Sequence, residues 1–565
     1  MCFIGTDISN FNYLVRQSTV HPSHDTVFHF ANRQFSRKQT AHDLKHIPPE
    51  ALERPSEDLA AELIEAYFAH VNHGWPIIDE VHFMHQYQGR NPRDPVALSV
   101  MNAIFLAGGH VLSPTRSDVR AMLPTFFRRA KTLMDYRFEQ DRMAYIQTAL
   151  LMTWYSDGLE EVVANAWHWI GMATRTAFGL GMHIDPSGSG MLPVHKRTWR
   201  RLWWVLFQFD TIVSASYGRP QAIRLDESDV PELTPDDFHG VPRVHADFVI
   251  EHTRLCMIIS ETTRARWALR STPESRAEAT SKGDEALARF FTQLPSSLQL
   301  NMAKIDGWQV TLHLTYNNFL ILLHRPPPRR DTLAQDADEA NAYTDFAICG
   351  DAAAAITSAV EAFLAQQGGK AMSDMWLYSC HALFTVMTHV GSEMGSSNPL
   401  VAARSRRTYE SLLRSLRAFS EHWKFAHSLF CLFEGRDQRH RMAAQRLAVE
   451  SQKPHAPAAR GEDGGFSLRP APLQQQQQQH QTDELVGDTV PSTFAPELSL
   501  DTSLAGSAGP DTPYSMGGFM STQALVGPDG MFTSDFPFPE ASALDFFLAS
   551  MEGSGPKFGF EARES

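Results

Sequence analysis

Cysteine is scarce and scattered in this chain. Its five cysteines, Cys2, Cys256, Cys349, Cys380 and Cys431, stand singly, and no CxxC pair occurs. That usage points to a reducing compartment, rules out a disulfide framework and leaves no paired thiolates for a closed tetrahedral metal site. Long apolar runs are also lacking. None reaches the roughly 18–20 residues of a membrane span, and the longest candidate, Leu98 to Leu112, contains Asn102, two glycines and His110 and reads as a core helix. The opening MCFIGTDISN has neither the basic region nor the apolar stretch of a secretory signal. Catalytic signatures are missing too. Gly188-Ser189-Gly190 makes no GxSxG elbow, and neither a P-loop nor a strand-following GxGxxG occurs. The 25 histidines include the pairs His21/His24, His70/His73 and His82/His85, none with the carboxylates of an HExxH-type site. The chain therefore reads as neither an enzyme nor a metalloprotein, and no catalytic, cofactor or metal residue is assigned.

What is present is a large helical body and a compositionally distinct tail. Over 565 residues with a hydrophobic fraction of 43%, the chain can bury a sizeable core. Residues 1–45 are polar and aromatic without a long period and read as extended segments. Residues 46–450 carry recurrent helix starts, such as Ser56-Glu57-Asp58 ahead of Leu59, Leu63 and Tyr67, with little strand-like alternation. From 451 onward Pro/Ala/Gly-rich sequence leads into six glutamines, Gln474–Gln479, and then Ser/Thr/Pro/Gly/Asp sequence, a disordered composition. Charge divides the same way. From Pro470 onward, thirteen acids face two bases, which accounts for −11 of the net −14 and leaves −3 for residues 1–469. Dispersed bases in an acidic chain make a poor stand-alone nucleic-acid binder. Basic runs such as Arg404/Arg406/Arg407 read as solvated helix faces, with nuclear import as a second use for that densest one.

Within the tail, Phe532, Phe536, Phe538, Phe546 and Phe547 alternate with Asp535, Glu540, Asp545 and Glu552. Leu544, Phe547, Leu548 and Met551 fall at helical spacing, so the segment can stay soluble when free and fold an apolar face into a coactivator groove. Docking of that short helix on its own globular domain is the other reading.

Two adjacent segments carry the most specific pattern, AWHWIGMATRTAFGLGMHID (Ala166–Asp185) and RRLWWVLFQFDTIVSASYGRPQAI (Arg200–Ile223). In the first, Trp167, Ile170, Thr174, Ala177 and Gly181 share a helical face, and Gly171, Ala173 and Ala177 would admit a close neighbour. In the second, Trp199, Trp203, Leu206, Asp210 and Val213 form a stripe, and the helix should end near Tyr217-Gly218, before Pro220. A carboxylate on a buried stripe needs a partner; Arg175 and Arg219 are the nearest candidates. The pair resembles the middle homology region of fungal zinc-cluster transcription factors, with its "LGxHxD" helix end, "RRLWW", aspartate and "GRP". Ala66–Phe83 resembles the opening of that domain and Asn317–Pro328 its "LLhRP" helix end, while Gly5–Gln17 and Val27–Leu44 resemble the cutinase-activating and fatty-acid-responsive subgroup.

The resemblance implies an all-α regulatory domain over residues 46–450 that holds an activator in check, with residues 451–565 as the activation tail. It implies a nuclear location, promoter DNA and the transcription machinery as partners, a homo- or heterodimer, an apolar effector such as a fatty acid, and no membrane. The family's zinc belongs to a six-cysteine cluster that this sequence does not contain. Either that cluster lies upstream of Met1 or the chain is a cluster-less co-regulator acting through a DNA-binding relative. A helical lipid carrier or enzyme is the remote alternative.

Overall fold

The computed structural model describes residues 2–3, 29–30, 45–89, 95–139, 141–155, 165–325, 345–367, 375–376 and 379–451. Among these, the only extended pairing is an antiparallel ladder of two residues per strand, β1 (Cys2–Phe3) with β2 (His29–Phe30). Everything else with regular structure is helical.

The helices run α1 (Glu57–Ala66), α2 (Glu80–Gly89), α3 (Leu98–Leu112), α4 (Ser117–Asp135), α5 (Arg142–Met152), α6 (Ala166–Leu180) and α7 (Pro193–Tyr217). After a long irregular connection come α8 (Ala246–Arg266), α9 (Pro273–Gln293), α10 (Gly307–His324), α11 (Phe346–Gln367), α12 (Ser379–Glu393), α13 (Pro399–Ser420) and α14 (Lys424–Ser451). Neighbours in sequence pack against each other, notably α3 with α4, α5 with α6, α8 with α9 and α10 with α11, and α3 also packs against α1 and α5. One continuous apolar core threads the helical body from Leu63 on α1 to Phe433 on α14.

Local chemistry sets the helix ends. Ser56 caps α1 by accepting from the Leu59 amide, as its sequence announces. Helices α6 and α7 both stop at a glycine in the left-handed region, Gly181 at φ 75° and Gly218 at φ 61°, where a Cβ would be strained. The expected end of the second motif helix at Tyr217-Gly218 is therefore where the chain turns.

Helix α3 is buried on all sides, including Asn102 and His110. Its Gly108 lies against α1 so closely that a Cβ there would meet the Leu63 carbonyl oxygen at 2.0 Å. Helix α11 corrects the sequence expectation about apolar runs, since Phe346–Gln366 is long and apolar enough to cross a membrane. Its single exposed acids Asp351 and Glu361 lie opposite Cys349, Ile356, Val360 and Phe363, which are buried in the packing with α10, α12 and α13. Periodicity, more than mean hydropathy, marks it as a core helix.

Candidate regulatory domain and its motif cluster

The motif residues spread along the sequence converge around the N-terminal half of α7. Asp79, in the turn before α2, caps that helix by accepting from the His82 amide. Its other oxygen accepts from Thr198 and from Arg201 Nη2, each at 3.2 Å. Arg201, 2% exposed, also donates to the Asp237 carbonyl. Arg200 reaches the Asp237 carboxylate at 2.6 Å, and that carboxylate in turn closes a capping box on Thr234. The two arginines of the RRLWW motif therefore tie three segments together, the Asp79 turn, α7 and the short turn at Pro235–Phe238. Burial pushes the Arg201 guanidinium down from its ordinary value, and the attraction of Asp79 and Asp237 opposes that shift.

A second latch stands beside it. Arg243 holds Glu80 through Nε at 3.1 Å and through Nη2, and Glu65 of α1 at 2.6 Å. Arg243 itself sits at φ 58°, a conformation costing a non-glycine residue on the order of 1 kcal/mol. Asn72 staples the intervening turn. Its Oδ1 accepts from Tyr67 Oη and from the Ile78 amide, and its Nδ2 donates to the Ile78 carbonyl.

Trp75 occupies the centre, within 5.2–5.5 Å of the rings of Phe209, Phe248, His252 and Trp376 and 6.2 Å from Trp308. Beside it Gln208 bonds His252 at 2.7 Å and donates to Thr253. Burial holds the His252 imidazole down at about 3, so it is neutral throughout the physiological range.

Asp210 is buried, as its place on the stripe requires, but the expected arginine pairings are replaced. Its carboxylate accepts from the Ile223 amide at 2.7 Å and from Ser214 Oγ at 3.4 Å. The arginine whose charge bears on it is Arg264 of α8, which donates to the Ile223 carbonyl. The Ile223 peptide is thus clamped from both sides. Burial outweighs these interactions and raises the Asp210 carboxyl to about 6.

Arg175 is exposed on α6. Arg219 lies over the rings of Trp167 at 5.0 Å and Tyr217 at 4.6 Å, an aromatic slot in place of a carboxylate. The chain reverses at Gly218 and carries Arg219 away from Asp210 while bringing Ile223 onto it. On α6 the buried face runs through Trp169, Ile170, Ala173, Thr174 and Ala177, with Trp167 only half-buried. Gly171 faces open space, so the close approach expected there rests on the alanines. Phe532, Phe536, Phe538, Leu544, Asp545, Phe546, Phe547, Leu548 and Met551 lie outside the described residues.

Between α7, α8, α10 and α12 lies a cavity of about 30 Å³ lined by Ile212, Ile259, Leu314, Phe319, Thr315 and Asn318, among others. It has room for a water and none for an alkyl chain. Among the described residues no three His, Cys, Asp or Glu side chains group to hold a metal ion. With the cysteines scattered singly, the residues present do not fit a zinc cluster.

The family described as fungal specific transcription factor domain matches residues 64–304. That span holds both motif segments, both latches and the Asp210 clamp. The chain belongs to this family. Similar proteins include the acetamidase regulatory protein of Aspergillus oryzae, 44% identical over 436 residues, 76% of this chain and 55% of that protein. The acetamidase regulatory protein of Emericella nidulans is 43% identical over 76% of this chain and 53% of its own length. Cutinase transcription factor 1 alpha of Fusarium vanettenii is 32% identical over 67% of this chain and 43% of its own length. The chain spans about half the length of the curated relatives it matches. The family and these relatives are transcription regulators and not enzymes. In this fungal transcription factor domain, the RRLWW arginines tie separate segments together by ion pairs.

Proposed function

We propose that the chain is a nuclear transcriptional activator of a metabolic gene set. In this reading the helical domain restrains output and the acidic, aromatic C-terminal segment delivers it to the transcription machinery. The observation that carries the reading is the family match over residues 64–304, together with relatives named as regulators of acetamidase and cutinase genes. Support for the output segment comes from sequence, since residues 529–552 interleave five phenylalanines with five acids and no base. Promoter targeting in this reading falls to a zinc cluster or to a partner chain, as homo- or heterodimer. An apolar effector would act by opening the α7–α8–α10–α12 packing, because the cavity there is water-sized.

The test is a reporter assay with residues 525–565 fused to an unrelated DNA-binding domain. The wild-type fusion should activate, and Phe546→Ala with Phe547→Ala should abolish most of that activity. Asp545→Asn alone should cost much less, because the acids chiefly keep the segment exposed and speed encounter. An inert wild-type fusion overturns the assignment of output to this segment.

A further inference from the structure

Helix α13 concentrates exposed positive charge in one element. Other exposed arginines are either paired, as Arg224 with Asp226 and Arg254 with Glu251 and Glu232, or, like Arg54, Arg175 and Arg289, stand without an ion-pair partner among the described residues. On α13, five arginines and one glutamate share 22 residues. Arg404, Arg406, Arg407 and Arg414 are exposed, and none has an ion-pair partner among the described residues. Arg417 continues the row and lies over the Phe430 ring of α14. From α14, Arg436, Asp437 and Arg439 all act electrostatically on Tyr409, two positive charges against one negative beside the same helix. We propose that this arginine face binds the phosphate backbone of a nucleic-acid duplex without reading its sequence.

The spacing and residue type both fit. Arg404 to Arg414 covers about 15 Å at about 1.5 Å per residue, the length over which one DNA strand presents about four phosphates. All five cations are arginine, whose planar fork engages phosphate in two bonds and sheds water more readily than an ammonium group. An import receptor that reads a basic run in extended form fits less well. Ser405 is buried and donates to Glu393, and Tyr409 is buried and donates to the Phe433 carbonyl, so this stretch is pinned as a helix. An acidic peptide would need apolar anchors among the charges. From Arg404 to Arg417 the large apolar side chains Tyr409, Leu412 and Leu416 are buried, and Leu413 is turned partly into the packing.

The proposal deepens the regulator reading by giving the helical domain its own contact with DNA, yet it stands or falls separately from the reporter result. The full chain is titrated into a labelled duplex of arbitrary sequence by fluorescence anisotropy, from about 25 to 200 mM KCl. Binding at the lowest salt should weaken steeply, with the logarithm of affinity falling about three times as fast as the logarithm of salt concentration rises, for three to four neutralised phosphates. The combined Arg404→Gln, Arg407→Gln and Arg414→Gln variant should bind at least about tenfold more weakly with a flattened salt slope. Its helical circular dichroism should be unchanged, and Arg224→Gln with Arg254→Gln should behave as wild type. Three results overturn the proposal: no duplex binding at the lowest salt, a triple variant that keeps the wild-type slope, or polyglutamate displacing the duplex at equal charge concentration. The last would reassign the face to acidic protein partners.

Discussion

Asp210 shows how a single buried carboxylate can be held without a salt bridge. Two neighbours in the sequence, Arg175 and Arg219, were the natural candidates to neutralise it, but a backbone amide does most of the holding and Arg264 acts from a helix some fifty residues later. Its carboxyl lies near 6 when folded, above the ordinary aspartate value of about 3.9. The folded state therefore binds the proton more tightly than the unfolded chain between those values. Asp210's contribution is greatest below about pH 4 and is lost as pH rises through about 6. Asp210→Asn keeps an acceptor for the Ile223 amide and removes the ionisation. We expect this variant to gain on wild type by on the order of 1–3 kcal/mol on moving from pH 4 to pH 7. Urea midpoints for both proteins at the two pH values measure it, and a pH-independent difference would mean that Asp210 titrates normally.

At the scale of helices, the ends were legible and the partners were not. Ser56 and Gly218 act on their own backbones, so local sequence fixes where α1 begins and α7 stops. The helical character of α6 and α7 and the buried Trp199–Val213 stripe were equally readable, because periodicity is a local property. What Arg200, Arg201, Glu80 and Arg243 touch depends on how segments up to 178 residues apart are brought together, and no local pattern encodes that. The bland reading of Arg404–Arg407 as a solvated face likewise left open which neighbours carried counter-charges. Helix contact also rests on small residues that the sequence does not single out. Gly108→Ala places a methyl against the Leu63 carbonyl, a rigid backbone atom. It should force α1 and α3 apart and cost at least about 1–3 kcal/mol. Gly171→Ala, at a site facing open space on α6, should be neutral or gain about 0.5–1 kcal/mol from helix propensity. Thermal unfolding of the two variants side by side separates packing from propensity, and equal effects would contradict the close approach of α1 and α3.

For the molecule as a whole, buried histidines set the response to acid. Burial holds His110 and His252 down at about 3 and His381 at about 4. The unfolded chain takes up these protons near pH 6.5 while the folded one refuses them, so their contribution is complete above about 6.5 and is lost as pH falls toward 3–4. These three groups oppose the carboxyls that burial raises, Asp210 foremost, with Glu139 and Glu251. Stability should therefore fall from pH 7 to pH 4.5, and His252→Gln, which retains a polar partner for Gln208, should flatten part of that fall. Denaturant unfolding across this range checks it, and a wild-type protein as stable at pH 4.5 as at pH 7 would mean that these imidazoles are reached by water.

The ring cluster around Trp75 also makes the protein its own optical reporter. Trp75 lies 6.2 Å from Trp308 and 5.5 Å from Trp376, and Trp376 is 5.8 Å from Trp154. These four indoles come from points in the sequence 301 residues apart at the extremes, and they meet only when the core is assembled. Indole transitions held at such distances and at fixed angles couple, so near-ultraviolet dichroism reads the closure of the entire domain, while the far-ultraviolet signal reads its helices one turn at a time. Any effector or partner that prises the core open would show itself in the first spectrum before it registered in the second.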